Sequence, residues 1–286
     1  MDKLVEYAGP KATGKPYVRL TLNSPHNRNA LSTTLVTQLH QGLRDAAADP
    51  AVRAVVLDHT GNTFCAGADL SEGSAATDAD PFEMAAERAR EMATLLRAIV
   101  ESPLPVIVAI DGHVRAGGMG LVGAGDIAVA GPRSTFALTE ARIGVAPAII
   151  SLTLLPKMSA RSAARYYLTG EKFDAATAAE IGLITMATDD VDTAVAALVA
   201  DIGRASPQGL AASKALTTAA VIAGFDRDAE RLSTESARLF VSDEAREGML
   251  AFLQKRPPRW ASPGDDAGRQ RPAEEAGNRA TDAADN

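Results

Sequence analysis

The chain has 286 residues, of which 46% are hydrophobic and 23% charged, with a formal net charge of -7 and a pI near 5.2. This apolar fraction is enough for a sizeable core, in one large domain or two modest ones. Because a net negative charge gives no attraction to nucleic-acid phosphates or anionic lipids, we expect neither nucleic acid nor a membrane as partner.

The chain contains a single cysteine, Cys65, which excludes an intramolecular disulfide and fits a reducing compartment. No histidine has a spacing that forces it beside this thiol, so we expect Cys65 to pack as a small apolar group and not to act as a nucleophile. Residues 1–6 lack the pattern of a secretory signal, and no segment approaches the ~18 consecutive apolar residues of a membrane-spanning helix. We therefore expect a cytoplasmic protein.

Strands and helices alternate in the first half of the chain. Alternating hydrophobicity predicts a half-buried strand at 17–22, and helical spacing predicts a helix that begins after Ser32 and ends at Asp49. The same arguments predict two buried strands at 52–57 and 105–110 and a short strand at 127–130. They also predict a mobile loop at 71–80 and a long amphipathic helix at 81–101. This alternation predicts an α/β fold with parallel strand pairing and right-handed crossovers.

The pattern becomes helical almost throughout from Ala148 onward. Helices are predicted at 191–199 and 207–221, and two more between 230 and 253 that meet around Ser242. After Trp260 the residues are small, polar or charged, and they cannot bury enough apolar surface to offset the entropy of ordering. We therefore predict a disordered tail over 261–286.

Two turns of small residues carry the functional signal. The first turn, residues 64–69 (FCAGAD), and the second turn, residues 116–121 (AGGMGL), each follow a predicted buried strand. Small residues let a ligand approach the backbone, and N–H groups at the start of a helix are free donors. Either turn alone is explained by tight packing, but together they can aim two N–H groups at one oxygen, as an oxyanion hole requires.

The second turn also invites comparison with a dinucleotide-binding loop. Residues 117–120 follow a strand and open a helix, but their spacing departs from G-x-G-x-x-G, and they lie deep in the chain instead of in an opening βαβ unit. We do not expect a nicotinamide cofactor.

Because it contains both turns, the sequence resembles the crotonase, or enoyl-CoA hydratase/isomerase, family. The resemblance extends from about the first strand to Trp260. The resemblance implies a spiral of repeated ββα units over residues 1–200 and a helical trimerisation region over 201–260. It also implies an acyl-CoA thioester as substrate, no cofactor beyond the CoA moiety, no metal, and a homotrimer or homohexamer.

The resemblance also assigns individual residues. Ala68 and Gly117 correspond to the two residues whose N–H groups bind the thioester carbonyl, in agreement with the interpretation of the turns. Arg28, Ala66 and Lys255 correspond to residues that contact CoA, the lysine from a neighbouring subunit. Arg28 and Lys255 are also explained as ordinary solvated cations.

The acid–base groups depart from the family pattern. Hydratases of this family generally use two glutamates; the second corresponds to Glu140, whereas the first corresponds to Gly120. One carboxylate suffices for a Δ3-Δ2 double-bond isomerase, and it can also serve both ends of a syn addition of water. We predict an enoyl-CoA hydratase with Glu140 as the acid–base group. The alternatives are an isomerase that uses Glu140 alone and an acyl-CoA binding protein without activity.

Arg115 is a second departure, because the family often has an apolar or aromatic residue at this position. A guanidinium in the acyl pocket would pair with a carboxylate of a dicarboxylic thioester. A salt bridge at the surface or between subunits is the structural alternative.

Overall fold

The computed structural model describes residues 2–69, 72 and 80–261. Their strands are β1 (Val5–Ala8), β2 (Tyr17–Leu22), β3 (Ala54–His59), β4 (Thr63–Cys65), β5 (Val106–Ile110), β6 (His113–Arg115), β7 (Ile127–Ala130), β8 (Thr135–Ala137), β9 (Phe173–Asp174) and β10 (Met186–Ala187). Apart from Glu72, Asp80 and Ala261, the predicted loop at 71–80 and the predicted tail lie outside the described residues.

Helices cover most of the remaining described chain. They are α1 (Pro10–Thr13), α2 (Thr33–Ala48), α3 (Pro81–Glu101), α4 (Gly117–Ala124), α5 (Ser151–Leu154), α6 (Ala160–Thr169), α7 (Ala175–Glu180), α8 (Val191–Ile202), α9 (Pro207–Phe240) and α10 (Asp243–Leu253), with 3-10 helices at Pro25–Asn27 and Glu140–Ile143. None of the helices within the described ranges is long and apolar enough to cross a membrane.

The strands form two sheets. The large sheet has the order β1-β2-β3-β5-β7-β10, and all of its pairs are parallel except β1 with β2. The small sheet has the order β4-β6-β8-β9, and its first three strands are parallel. The predicted α/β class with parallel pairing is confirmed.

The strands before the two turns are where the sequence prediction was wrong. It had one strand lead into each turn, whereas β3 and β5 belong to the large sheet and the separate strands β4 and β6 lead into the turns. A short connection redirects the chain between sheets, and His113 N donates to Asn62 O at 3.0 Å across the two connections. At three residues each, β4 and β6 are too short to show a hydrophobic period.

The predicted helices of the first half are confirmed. The Ser32 side chain accepts from Leu35 N and caps α2, and α3 covers 81–101 with Asp80 as its cap. Both helices bury one apolar face against the core, which is the arrangement that their amphipathic pattern predicts.

The second half is less uniformly helical than predicted, because β9 and β10 each add a short strand to a sheet. The predicted break between 221 and 230 is also absent. The helix α9 runs unbroken through Gly224, where an added Cβ would meet nothing within 4 Å. Packing of α9 along α3 outweighs the small local cost of one glycine. The break at Ser242 is confirmed, since α10 begins at the next residue.

A buried ion pair joins α9 to the large sheet. Lys214 Nζ lies 2.7 Å from Asp126 Oδ2 and donates to the carbonyl oxygens of Ile99 and Leu104 at 2.9 and 3.1 Å. The Lys214 side chain is only 5% exposed, and Asp126 also accepts from Val106 N at 2.7 Å. The pair therefore fixes α9 against the end of α3 and the start of β5.

We expect Lys214→Ala to destabilise the fold by roughly 3–5 kcal/mol, because it leaves the buried Asp126 carboxylate without its counter-charge. Urea denaturation of both proteins measures this difference. Arg238→Ala is the matched control on the same helix, because Arg238 pairs with Glu235 at the surface, and we expect it to cost less than ~1 kcal/mol. Equal costs for the two variants would contradict the structural role of Lys214.

Candidate active site

The site lies at one edge of the small sheet. Because β4, β6 and β8 are parallel neighbours, their carboxyl ends share this edge, and the segment after each strand begins there. The three segments contain Ala68, Gly117 and Glu140. The fold thus brings together the three residues for which the sequence predicts catalytic roles.

The backbone of Leu31 holds the first turn in place. Leu31 N donates to Gly67 O at 2.7 Å, and Asp69 N donates to Leu31 O at 3.3 Å. Gly67 and Asp69, on either side of Ala68, both pair with Leu31. The N–H of Ala68 is therefore directed away from Leu31. Gly67 has a φ of 98°, a conformation that a side chain would strain.

The second turn contains an unusual residue, Ala116, with φ 46° and ψ -123° at the N-cap of α4. This conformation is costly for a residue with a Cβ, and such strain concentrates at functional sites. It turns the chain so that Gly117 begins the helix with a free N–H. The sequence analysis missed this strain, because alanine carries no signal for a positive φ.

The two turns approach each other without room for a further side chain. A Cβ on Gly67 would lie 2.6 Å from Ala116 Cβ and 3.3 Å from Gly117 N, and one on Gly118 would lie 2.7 Å from Cys65 O. Across the described residues, no protein group accepts a hydrogen bond from Ala68 N or Gly117 N. Two free N–H groups on adjacent turns are the donor pair that an oxyanion hole needs.

Glu140 begins the 3-10 helix that follows β8, and its side chain is buried, with 9% of the residue exposed. Burial raises the pKa of its carboxyl from 4.5 to about 7, because the charged form loses its hydration. Within the described part of the chain, Glu140 Oε2 has no hydrogen-bond partner. A carboxyl with this pKa can give and take protons near neutral pH.

No carboxylate stands at Gly120, and apolar atoms fill the space beside it. A Cβ at Gly120 would lie 2.6 Å from Ile150 Cγ2 and 3.1 Å from Leu96 Cδ1. A glutamate there would displace both side chains. The packing around position 120 therefore fits a glycine and leaves no room for a glutamate side chain.

Two of the residues with predicted CoA contacts lie next to the first turn. Arg28 is exposed, has a φ of 60°, and accepts a hydrogen bond from Ala66 N through its carbonyl oxygen at 3.1 Å. Ala66 N is therefore engaged within the protein. The contact of the Arg28 side chain with CoA stays a prediction.

The loop that carries Arg28 is fixed by Asn29, which the sequence analysis did not single out. The buried Asn29 side chain accepts from Ser24 N at 2.7 Å and donates to the carbonyl oxygens of Thr60 and Thr63 at 3.0 and 2.8 Å. Asn29 thus ties the Arg28 loop to β4, the strand before the first turn.

Lys255 lies apart from the other predicted residues, exposed and with a φ of 54° just after α10. The helix α10 itself packs on the segment that follows Glu140, where a Cβ on Gly248 would lie 2.4 Å from the backbone of Ile143. The contact of Lys255 with the CoA of a neighbouring subunit stays a prediction.

Two residues singled out from the sequence remain, Cys65 and Arg115. Burial raises the pKa of the Cys65 thiol to about 12, which leaves it protonated and unreactive at neutral pH. The Arg115 guanidinium donates to the carbonyl oxygens of Val114 and Thr135 at 2.7 and 2.6 Å and to Thr135 Oγ1 at 2.9 Å. These bonds hold Arg115 along β8, and in the described part of the chain no carboxylate pairs with it, so the surface salt bridge expected as the structural alternative does not form there.

The two sheets, the paired turns and the buried carboxyl together define the class of protein, a crotonase-like α/β enzyme fold. The sequence profile of the enoyl-CoA hydratase/isomerase family matches residues 15–263, and the chain belongs to this family. Enzymes of this family act on acyl-CoA thioesters.

Individual relatives agree with the family assignment. A crystal structure of an enoyl-CoA hydratase from Mycobacterium avium is 77% identical, with a TM-score of 0.86, and the match covers 91% of this chain and all of that one. The cyclohexa-1,5-dienecarbonyl-CoA hydratase of Thauera aromatica is 29% identical over 85% of this chain and 92% of its own. The 1,2-epoxyphenylacetyl-CoA isomerase of Escherichia coli is 29% identical over 86% and 95%.

We expect Gly67→Ala to lower turnover roughly a hundredfold or more, because the added methyl group pushes the two turns apart and displaces the N–H donors. Steady-state kinetics with an enoyl-CoA measure the loss. Gly14→Ala is the matched control: Gly14 also has a positive φ, 67°, but a Cβ there meets nothing within 4 Å. Gly14→Ala should strain the backbone and leave turnover unchanged. Equal turnover in the two variants would contradict the role of these N–H groups as an oxyanion hole.

We expect the stability of Glu140→Gln, relative to that of the wild type, to increase as pH rises. Between about pH 4.5 and 7 the folded protein holds a proton on Glu140 that the unfolded chain releases, so wild-type stability falls relative to the variant as pH increases. Across this window, the free energy of unfolding of the variant should rise relative to that of the wild type by roughly 2–3 kcal/mol. Urea denaturation at several pH values measures it, and a difference independent of pH would contradict the raised pKa.

Proposed function

We propose that this protein is an enoyl-CoA hydratase that adds water to a 2-enoyl-CoA through an enolate held in the oxyanion hole. The observation that carries the proposal is the buried Glu140, whose free Oε2 lies at the same sheet edge as the free N–H groups of Ala68 and Gly117. This arrangement pairs one proton-transfer group with donors for a developing negative charge.

The chemistry follows from these groups. Hydrogen bonds from Ala68 N and Gly117 N to the thioester oxygen polarise the conjugated double bond and stabilise the enolate that forms when water attacks the β-carbon. The ionised Glu140 carboxylate takes a proton from the water, and the new C–O bond forms. The α-carbon then receives a proton from the same carboxyl group, which returns Glu140 to its ionised form.

A single carboxylate is enough for this sequence when both bonds form on one face of the double bond. The proton taken from water and the proton given to the α-carbon then pass through the same group. The Mycobacterium avium and Thauera aromatica relatives are both named hydratases, which supports this proposal.

The proposal extends to CoA and to assembly. Arg28, exposed beside the first turn, is suited to contact the CoA phosphates, and Ala66 of that turn lies next to it, since Ala66 N donates to Arg28 O. A homotrimer or homohexamer would place Lys255 near the CoA of a neighbouring subunit. The exposed apolar side chains Phe252 and Leu253, 65% and 69% exposed at the end of α10, support self-association of this region.

A second candidate function is Δ3-Δ2 enoyl-CoA isomerisation by Glu140 alone. The observation that favours it is the apolar packing of Ile150 and Leu96 at Gly120, where a second carboxylate would otherwise stand. Moving a double bond needs one base that removes a proton from one carbon and returns it to another. The Escherichia coli relative is named an isomerase of an epoxidised acyl-CoA, which supports isomerisation of an acyl-CoA in general but not a double-bond shift in particular.

We expect the purified protein to convert a 2-enoyl-CoA to a product heavier by one water, as measured by mass spectrometry and retention time. Glu140→Gln should lower this rate roughly 10²- to 10⁴-fold, because it removes the proton-transfer group. The wild-type kcat/KM should rise with pH through about 7 as the Glu140 carboxyl ionises. Glu101→Gln, an exposed carboxyl on α3, is the matched control and should retain the full rate.

Other outcomes decide between the candidates. A shifted double bond at unchanged mass from a 3-enoyl-CoA, without hydration of the 2-enoyl-CoA, favours the isomerase. Binding of several enoyl-CoA thioesters without turnover, unaffected by Glu140→Gln, favours an acyl-CoA binding protein.

A further inference from the structure

A second buried polar group without a protein partner lies on α6, the helix that packs on the 3-10 helix beginning at Glu140. Across the residues that the structure describes, Tyr167 Oη is buried and makes no hydrogen bond, and the same is true of Glu140 Oε2. Asp58 Oδ1 is also unpaired, but the other oxygen of that carboxylate pairs with Arg19 at 2.7 Å. Tyr167 and Glu140 are therefore two unsatisfied groups of complementary kind, a donor and an acceptor.

The fold fixes Tyr167 near the site from two sides. The preceding residue, Tyr166, packs on Phe173 with ring centroids 4.2 Å apart, and Phe173 stacks on Phe136 of β8 at 5.6 Å. At the end of α6, Thr169 O accepts from Arg142 Nε and Nη2 at 3.0 and 2.8 Å. Because Arg142 lies on the 3-10 helix that begins at Glu140, the helix α6 and the catalytic segment are joined directly.

Tyr167 and Glu140 interact electrostatically but do not bond to each other. Burial raises the pKa of the Tyr167 hydroxyl, and the negative charge of Glu140 raises it further. The hydroxyl therefore stays protonated and acts as a donor at neutral pH. The ionised Glu140 carboxylate acts only as an acceptor.

A buried donor and a buried acceptor can be satisfied together by one oxygen that accepts from the tyrosine and donates to the carboxylate. A water molecule has both capacities, whereas the hydrocarbon part of an acyl chain has neither. A buried hydroxyl without a partner costs stability, and a phenylalanine would fill the same space with its ring and avoid that cost. The hydroxyl thus points to a partner that the protein does not itself supply.

We propose that Tyr167 is a catalytic residue whose hydroxyl donates a hydrogen bond to the water that Glu140 deprotonates. The proposal rests on the hydratase function proposed above. In the step itself, the water oxygen forms a bond to the β-carbon and Glu140 Oε2 takes one of its protons. The electron pair of the double bond moves to the thioester enolate, and a proton from the Glu140 carboxyl then completes the C–H bond at the α-carbon. Tyr167 keeps its own proton throughout and orients the attacking oxygen.

Tyr167 in this role compensates for the residue at 120. Where a second carboxylate would hold the water, this chain has Gly120 with the methyl groups of Ile150 and Leu96 against it. Orientation of water by one tyrosine and one carboxylate requires no second charge in this apolar surrounding.

The test is Tyr167→Phe, assayed for two reactions. Hydration of a 2-enoyl-CoA should lose roughly ten- to a hundredfold in kcat, because the hydrogen bond to the water is removed. Exchange of the α-hydrogens of a saturated acyl-CoA with D2O needs Glu140 and the oxyanion hole but no added water, so it should stay within about twofold of wild type. Tyr166→Phe, which removes the neighbouring hydroxyl on the same helix, should leave both rates unchanged.

The proposal is overturned if Tyr167→Phe hydrates at the wild-type rate. It is also overturned if hydration and α-hydrogen exchange fall together, since that result indicates a structural role for Tyr167. A wild-type protein that exchanges α-hydrogens or shifts double bonds but adds no water overturns the hydratase function itself. That failure is seen before any variant is compared, and it is therefore distinct from a failure of the role of Tyr167.

Discussion

The contact between two backbone turns is the constraint on which the candidate site depends. Gly67 and Ala116 approach so closely that a Cβ on Gly67 would lie 2.6 Å from that of Ala116. This approach is possible because β4 and β6 are parallel neighbours that end at the same edge of the small sheet. The strained backbone of Ala116 lets α4 begin directly beside the first turn. The N–H groups of Ala68 and Gly117 are left free because the chain is turned in this way.

Glu140, the acid–base group of the proposed reaction, is costly to the fold for the same reason that it suits this role. Glu140 lies in a buried position where its charge is poorly hydrated, and its pKa rises to about 7. Ionisation near neutral pH therefore opposes folding, while it supplies the base that proton transfer requires. The hydrogen bonds from Arg142 to Thr169 O and the packing of α10 on the segment after Glu140 hold Glu140 in place.

The two long helices of the first half, α2 and α3, were predicted well from the sequence. The helix α3 covers 81–101 as expected, and Ser32 caps α2, because their periodic apolar faces and capping residues are local signals. The prediction was wrong where distant contacts decide the structure. The strands β4 and β6 are three residues long and exist because they pair within the small sheet, β4 with β6 and β6 also with β8. The helix α9 continues through Gly224 because it packs along α3.

The sequence by itself determined the family, the small-residue turns and the absence of a carboxylate at Gly120, because each of these is written in consecutive residues. Only the tertiary structure decided how these parts act. The partners of a backbone N–H, the burial that raises the pKa of Glu140 and the position of Tyr167 all depend on segments far apart in the chain. Burial and hydrogen bonding between such segments are properties of the packed fold, and no local pattern specifies them.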